Sequence, residues 1–134
     1  MTINSKNKGA TGERELIRLL QAQVDAAGLV GIKLERNLEQ TRYGGVDIVG
    51  LSWLSGEVKR CEVLQLDQWW GKLIGLTGAN QVPAIFYRRN KEPWSVRCRM
   101  RLPLSDGRWV TAVASVSLDD WLLWFANELR LRVH

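Results

Sequence analysis

The chain has 134 residues, is 46% hydrophobic and 25% charged, and carries a formal net charge of +5. This composition is typical of one folded domain over residues 1–134 and excludes a low-complexity chain. The longest strongly apolar run, Trp121–Ala126, is far shorter than the ~20 residues of a membrane-spanning helix. The polar N-terminus also lacks the apolar core of a secretory signal, so we expect a cytoplasmic protein with no membrane partner.

Apolar residues at helical spacing predict a first helix over Gly12–Ala27, ended by Gly28. A polar, glycine-ended loop is predicted over Glu39–Gly45 and a turn over Ser52–Ser55. Around them lie three short β-prone segments, predicted as strands: Ile32–Leu38, Val46–Leu51 and Gly56–Val63.

The second half begins with a predicted helix over Leu66–Leu76, in which Gly71 and Gly75 either weaken the helix or mark close packing against a sheet. A final helix follows Ser117, with Asp120 three positions on as a capping-box-like pair. Three further strands are predicted, the last two as a hairpin: Pro83–Arg88, Trp94–Leu102 and Arg108–Val116. The order α-β-β-β-α-β-β-β-α predicts an α/β fold with a mixed central β-sheet flanked by helices.

Three charged residues in the predicted strands have the pattern of a metal-dependent hydrolase. Asp47 opens one strand, while Glu57 and Lys59 lie two apart on the next and therefore share a face. Two adjacent antiparallel strands would bring all three together. Mg²⁺ binds oxygen ligands, and a nearby ammonium group can orient the attacking water or offset charge on phosphorus. Asp47 and Glu57 are the candidate ligands, with the main-chain carbonyl of Val58 as a further one.

The same three residues also fit an exposed strand pair with an ordinary Glu-Lys salt bridge. The N-terminal helix bears on this choice, because Glu13 is predicted to lie in its first turn. An acidic residue there complements the helix dipole without any catalytic role.

The segments KGATGERELIRLL, GGVDIVGL and GEVKR resemble the archaeal-type Holliday-junction resolvases and their phage and bacterial relatives, within the PD-(D/E)XK nuclease superfamily. The resemblance implies a restriction-endonuclease-like core and a Mg²⁺-dependent endonuclease of DNA recombination and repair, with Mn²⁺ as a substitute metal. It implies that Glu13 is a fourth catalytic residue and metal ligand beside Asp47, Glu57 and Lys59. It also implies DNA contact by Arg14 and Arg36, four-way DNA junctions as substrate, and a homodimer.

Further DNA-contacting residues are predicted from the distribution of charge. The window Arg88–Arg108 holds seven basic and two acidic residues, which equals the whole net charge. A solvated basic face without a partner is the alternative. The predicted DNA-binding residues lie on the first helix, the first strand, the polar loop and the arginine strand: Lys8, Arg14, Arg18, Arg36, Arg42, Tyr43, Arg97, Arg99 and Arg101.

The remaining sequence features concern the core and the partners. Most of the seven tryptophans are expected in the core, and the surplus at a subunit interface. Cys61 and Cys98 lack the spacing of a zinc site and are predicted to be buried, reduced thiols. Two other functions stay open: a related nuclease acting on other branched or duplex DNA, and a non-catalytic DNA-binding module on the same scaffold.

Overall fold

A computed structural model describes residues 5–38 and 46–132, with side chains described from residue 11 onward. Within these ranges, three helices and six strands follow the predicted order. In chain order they are α1 (Ser5–Ala26), β1 (Glu35–Arg36), β2 (Ile48–Val49), β3 (Leu54–Cys61), α2 (Leu66–Leu76), β4 (Val82–Arg89), β5 (Ser95–Pro103), β6 (Trp109–Ser117) and α3 (Leu118–Leu131).

The central sheet has four strands in the order β3-β4-β5-β6. Strands β3 and β4 are parallel and are connected through α2, whereas β4-β5 and β5-β6 are antiparallel. The sheet is therefore mixed, and helices flank it, so the predicted fold class is confirmed. The register places Glu57, Ile85, Arg97 and Ser115 side by side across the four strands, on one face of the sheet.

The opposite face of the sheet carries the main hydrophobic core. Helix α1 contributes Leu16, Leu20 and Val24, and α3 contributes Trp121 and Phe125. Trp121 packs edge-on against a strand residue of the core, Phe86, with ring centroids 4.9 Å apart. Helix α2 instead contacts β3 and β4 from the face that carries Glu57, where its Leu73 is buried. The two faces of the sheet are thus covered by different helices.

Helix α1 begins at Ser5, seven residues before the predicted start, so the prediction that Glu13 lies in the first turn is wrong. Glu13 projects from the interior of the helix instead, and the dipole explanation for it does not hold. The predicted end is confirmed, since Gly28 has a positive φ of 74° and closes the helix with a hydrogen bond from its N–H to the Asp25 carbonyl.

Strands β1 and β2 are much shorter than predicted, with two residues each. They pair with each other, so the predicted antiparallel ladder between the second and third strands is wrong. The local conformation depends on Gly50, whose φ is +116° and at which a Cβ atom would overlap the main-chain carbonyl of Lys33. This close approach lets the β1-β2 pair turn directly into the start of β3.

Four smaller expectations are settled in the second half of the chain. Ser117 caps α3 by accepting a hydrogen bond from the Asp120 N–H at 3.1 Å, as predicted. The alternative that the two α2 glycines mark close packing is wrong, because nothing lies within 4 Å of a Cβ at Gly71 or Gly75. Apolar alternation over Trp94–Leu102 predicts that Leu102 lies on the buried face of β5, but the residue is exposed, so this prediction is wrong. Of the two cysteines, Cys98 is buried as predicted and Cys61 is only half-buried.

Candidate active site

Two carboxylates that are remote in the sequence meet beside strand β3. The Asp47 N–H donates to the Gly56 carbonyl at 3.0 Å, and the Val58 N–H donates to Oδ2 of Asp47 at 2.7 Å. Asp47 is only 6% exposed, and its carboxylate is also hydrogen-bonded to Glu57. The predicted antiparallel ladder is absent here, and these hydrogen bonds hold Asp47 against the middle of β3 instead.

The environment of Glu57 disfavours its charged form. Burial is the largest cause and the neighbouring Asp47 carboxylate the second, and together they raise the pKa of Glu57 from 4.5 to about 7. Lys59 and Lys72 oppose this shift. At pH 7 Glu57 is therefore protonated in about half of the molecules.

Two side chains of α2, Trp69 and Lys72, lie on the side of this carboxylate pair, and neither was predicted from the sequence. Lys59 Nζ lies 3.8 Å from Oε1 of Glu57 and 5.6 Å from the centroid of the Trp69 ring. Lys72, one helical turn after Trp69, lowers the pKa of Glu57 through its charge. Their three-residue spacing on α2 puts them on one helix face, but only the crossover between β3 and β4 brings that face to Glu57.

Glu13 lies apart from the carboxylate pair, in an ion pair with Arg36. The Arg36 Nε donates to Oε2 of Glu13 at 2.8 Å, and both side chains are largely buried. Arg36 is in β1, and the next residue, Asn37, donates its N–H to the Asp47 carbonyl at 2.8 Å. Arg36 thus links Glu13 to the segment that carries Asp47, immediately before β2. Within residues 5–38 and 46–132, no three acidic, histidine or cysteine side chains are grouped as a metal site.

The donor chemistry of the pair nevertheless fits a hard divalent cation. Asp47 and Glu57 supply carboxylate oxygens, which Mg²⁺ prefers, and a cation would relieve the repulsion that raises the pKa of Glu57. The N–H and C=O of one strand residue point to the same side. Since the Val58 N–H points to Asp47, its carbonyl also faces the Asp47 side and not β4.

The predicted DNA-binding residues fall into four groups. Arg14 and Arg18 are exposed on α1. Arg36 is paired with Glu13, Arg97 with Asp67 at 2.7 Å and Arg101 with Glu128 at 2.9 Å, so their charges are partly compensated. The side chain of Lys8 and the residues Arg42 and Tyr43 lie outside the described part of the chain. Arg99 is half-buried and lines a cavity at the end of β5.

Comparisons with known proteins give one distant likeness. No protein-family model matches the sequence, and no curated protein matches it. Among solved structures, the chain is similar to Hjc of Archaeoglobus fulgidus, a Holliday junction resolvase from an archaeal hyperthermophile. The sequence identity is 16% and the TM-score 0.45, over 87% of this chain and 97% of that one. None of the helices in the described ranges is long and apolar enough to cross a membrane.

Proposed function

We propose that this chain is a metal-dependent DNA endonuclease that hydrolyses phosphodiester bonds at the Asp47-Glu57 pair. The observation that carries the proposal is the meeting of these two carboxylates beside Lys59, with the pKa of Glu57 raised to about 7. An ordinary exposed Glu-Lys pair would not bring a second, buried carboxylate into hydrogen-bonding contact. The fit of these donors to a hard cation favours hydrolysis over simple binding.

Asp47 and Glu57, with the Val58 carbonyl, would hold Mg²⁺, or Mn²⁺ in its place. The bound cation would lower the pKa of a water molecule and polarise the phosphoryl oxygen. Lys59 stands next to Glu57 and would orient that water or offset charge on the phosphate. Trp69, whose ring lies beside the Lys59 ammonium group, restricts where that group can point.

Glu13 is the residue whose role is least defined by geometry. It would join the cation only after leaving Arg36, whose guanidinium neutralises it in the metal-free chain. Once released, Arg36 would be available to a DNA phosphate, which joins the two roles that the resemblance implies for these residues. In the proposed binding of the metal, Glu13 therefore exchanges Arg36 for the cation.

Four-way DNA junctions are the proposed substrate, and a homodimer that makes paired cuts is the proposed assembly. The exposed arginines of α1 support DNA binding. Surplus apolar surface supports self-association: Trp109 is 47% exposed and Leu123 is 74% exposed. A nuclease acting in recombination and repair, including one encoded by a phage, is consistent with these features.

Cleavage of labelled four-way junctions, flaps and linear duplex, with Mg²⁺ or with EDTA, tests the proposed function. We expect Mg²⁺-dependent cutting of junctions in preference to duplex, and its complete loss with EDTA. Asp47→Asn and Lys59→Ala should abolish cutting while leaving junction binding nearly unchanged. Arg89→Gln is the matched control, because Arg89 is exposed at the end of β4, four residues beyond the level of Glu57, and it should retain cutting. Equal cutting of every substrate would reject junction selectivity but not hydrolysis.

A second candidate is a non-catalytic DNA-binding module, and the Glu13-Arg36 ion pair is the observation that favours it. In that pair, Arg36 occupies the carboxylate of Glu13, which the resemblance places in the metal site. Tight junction binding by the wild-type chain, with no cutting in Mg²⁺ or Mn²⁺, would support the module and overturn the nuclease.

A further inference from the structure

A basic cavity lies at the end of the sheet away from the carboxylate pair. It has a volume of about 200 Å³, and its polar lining comes from β5, β6, the loop before β4 and the residue that caps the end of α3: Gln81, Arg99, Arg101, Thr111 and Arg132. Glu57 is level with Arg97 in the register, so Arg101 lies four residues further along β5, about 13 Å at ~3.3 Å per residue. The cavity is thus separate from the candidate active site.

A buried carboxylate holds two of the three guanidinium groups in place. Glu128 of α3 is fully buried, and its two oxygens accept from Nε of Arg101 at 3.0 and 2.9 Å. The same carboxylate accepts from Nε of Arg132 at 2.8 Å. Both contacts use the Nε edge of the guanidinium. Since each group carries five N–H donors, the Nη edges of both arginines stay available for another acceptor.

Each of these guanidinium groups is also stacked on an indole ring. The Arg101 group lies 4.7 Å from the centroid of Trp109, and the Arg132 group lies 4.5 Å from that of Trp53. The Arg101 carbonyl accepts from Nε1 of Trp124 at 2.9 Å, which fixes the strand below the side chain. Carboxylate and indole together set the plane and direction of each group, so little conformational entropy is left to lose on binding an anion.

The charges in the cavity do not balance. Neutralising one buried carboxylate requires one guanidinium, whereas Glu128 is met by two, and Arg99 lines the same cavity. None of the lining residues is acidic, so three positive groups face one negative group beneath them. Arginines that only held Glu128 in place would gain nothing from this excess positive charge, because like charges repel one another across a small volume. An anion with several acceptor oxygens is the ligand that these groups match.

We propose that this cavity binds a phosphate group through Arg99 and the Nη edges of Arg101 and Arg132, with the Thr111 hydroxyl as a further donor. Planar guanidinium groups match the spacing of phosphate oxygens, and three of them suit a group that carries between one and two negative charges. The phosphate belongs either to the backbone of bound DNA or to a free phosphate or phosphate monoester. The site stands without the proposed cleavage reaction, since none of its residues touches the carboxylate pair.

Titration of the isotope-labelled wild-type protein with inorganic phosphate, in EDTA and at low constant ionic strength, tests the site by NMR. We expect saturable shifts of the backbone amides of Arg99, Arg101 and Arg132, and none of comparable size with chloride. Arg99→Gln should weaken phosphate binding by about tenfold, as expected for loss of a charge-assisted hydrogen bond. Arg89→Gln removes the same charge at an exposed position, at the end of β4 opposite the cavity, and should change the affinity by less than about twofold.

The source of the phosphate is separated by DNA binding to a short duplex, measured by anisotropy in EDTA over a range of salt concentrations. If the cavity takes a backbone phosphate, Arg99→Gln lowers the magnitude of the salt slope by about 0.9 and Arg89→Gln does not. If it takes a free phosphate, the slope is the same in both variants while the NMR affinities still differ. Absence of saturable shifts in the wild-type protein, or equal weakening by the two variants, would overturn the proposal. Neither outcome bears on whether Asp47 and Glu57 cleave DNA.

Discussion

At the scale of single residues, Glu57 is the most strongly perturbed group at the candidate active site. Its folded-state pKa of about 7 lies above its ordinary value of 4.5, so the folded protein binds this proton more tightly than the unfolded chain does. The stabilising effect of that proton is complete below about pH 4.5 and is lost as the pH rises through about 7. Above neutral pH the metal-free protein carries two adjacent carboxylates at a cost in stability.

Replacing Glu57 with Gln removes this cost, because the amide resembles the protonated acid and carries no charge. The pKa difference corresponds to at most about 3 kcal/mol, and solvent screening of the half-buried group reduces the expected gain to roughly 1–2 kcal/mol at pH 8. At pH 4 the gain should vanish. Urea unfolding of both proteins in EDTA measures it, with Glu92→Gln, an exposed position, as the control expected to change stability by less than about 0.5 kcal/mol. A less stable Glu57→Gln protein at pH 8 would contradict the assigned environment.

The residues of the candidate site differ in how far the sequence could reveal them. The two-residue spacing of Glu57 and Lys59 in a β-prone segment is enough to place them on one face, and the structure agrees. The Glu13-Arg36 pair and the approach of Lys72 could not be predicted, because each joins elements whose relative position is set by packing. Glu128 is a similar case, because a charged residue in the last helix is expected to be exposed to solvent. Arg101, remote in the sequence, and Arg132, four positions after Glu128, pair with its carboxylate and allow its complete burial.

At the scale of elements, the longest and most regular patterns were predicted well and the shortest were not. The predicted hairpin of β5 and β6 and the predicted start of α3 after Ser117 agree with the structure within one or two residues. The β1-β2 pair is held to four residues by the turn at Gly50, and alternation over so short a stretch carries little information. The extension of α1 to Ser5 also escaped prediction, since its added residues are polar.

A matched pair of glycine substitutions tests this view of the elements. Gly50→Ala should lower the free energy of unfolding by at least about 2 kcal/mol, because the residue has a positive φ and its Cβ would overlap the Lys33 carbonyl. Gly71→Ala should raise it by about 0.5–1 kcal/mol, since the site is helical and open. Chemical unfolding of both variants measures the two effects. An equal response to the two substitutions would contradict the close approach at Gly50.

The cap of α3 gives a smaller, separate prediction. Ser117→Ala removes the acceptor of the Asp120 N–H and should destabilise the protein by about 1 kcal/mol. Ser117→Asp keeps an acceptor at the helix N-terminus and should recover most of this loss. Thermal unfolding of the two variants gives the comparison, and equal destabilisation by both would show that the cap is not used.

At the scale of the whole molecule, charge is redistributed by the fold. The window that holds the entire net charge in the sequence supplies four arginines to ion pairs, three of them with acids of other elements: Arg88 with Glu15, Arg97 with Asp67, Arg101 with Glu128, and Arg108 with Asp106. A count along the sequence therefore overstates how continuous the positive surface is. The basic cavity around Arg99 is one place where the positive charges exceed their partners.

Self-association is the whole-molecule prediction that the exposed apolar surface supports. Sedimentation of the free protein at micromolar concentration should give a mass of two chains, because paired cuts on a junction require two active sites. A four-way junction that is added to the protein should then bind one dimer. A species of one chain at all concentrations, with and without DNA, would contradict the homodimer while leaving the cleavage chemistry untouched.

Calorimetric titration with Mn²⁺ and Mg²⁺ tests most directly whether the Asp47-Glu57 pair is a metal site. We predict one saturable site per chain in the wild-type protein, loss of binding in Asp47→Asn, and retained binding in Lys59→Ala, whose ammonium group is not a ligand. Binding should tighten as the pH rises toward 8, because the proton on Glu57 must leave before this carboxylate can hold the cation. Unchanged affinity in Asp47→Asn, or no saturable binding by the wild-type chain with or without DNA, would contradict the proposed site.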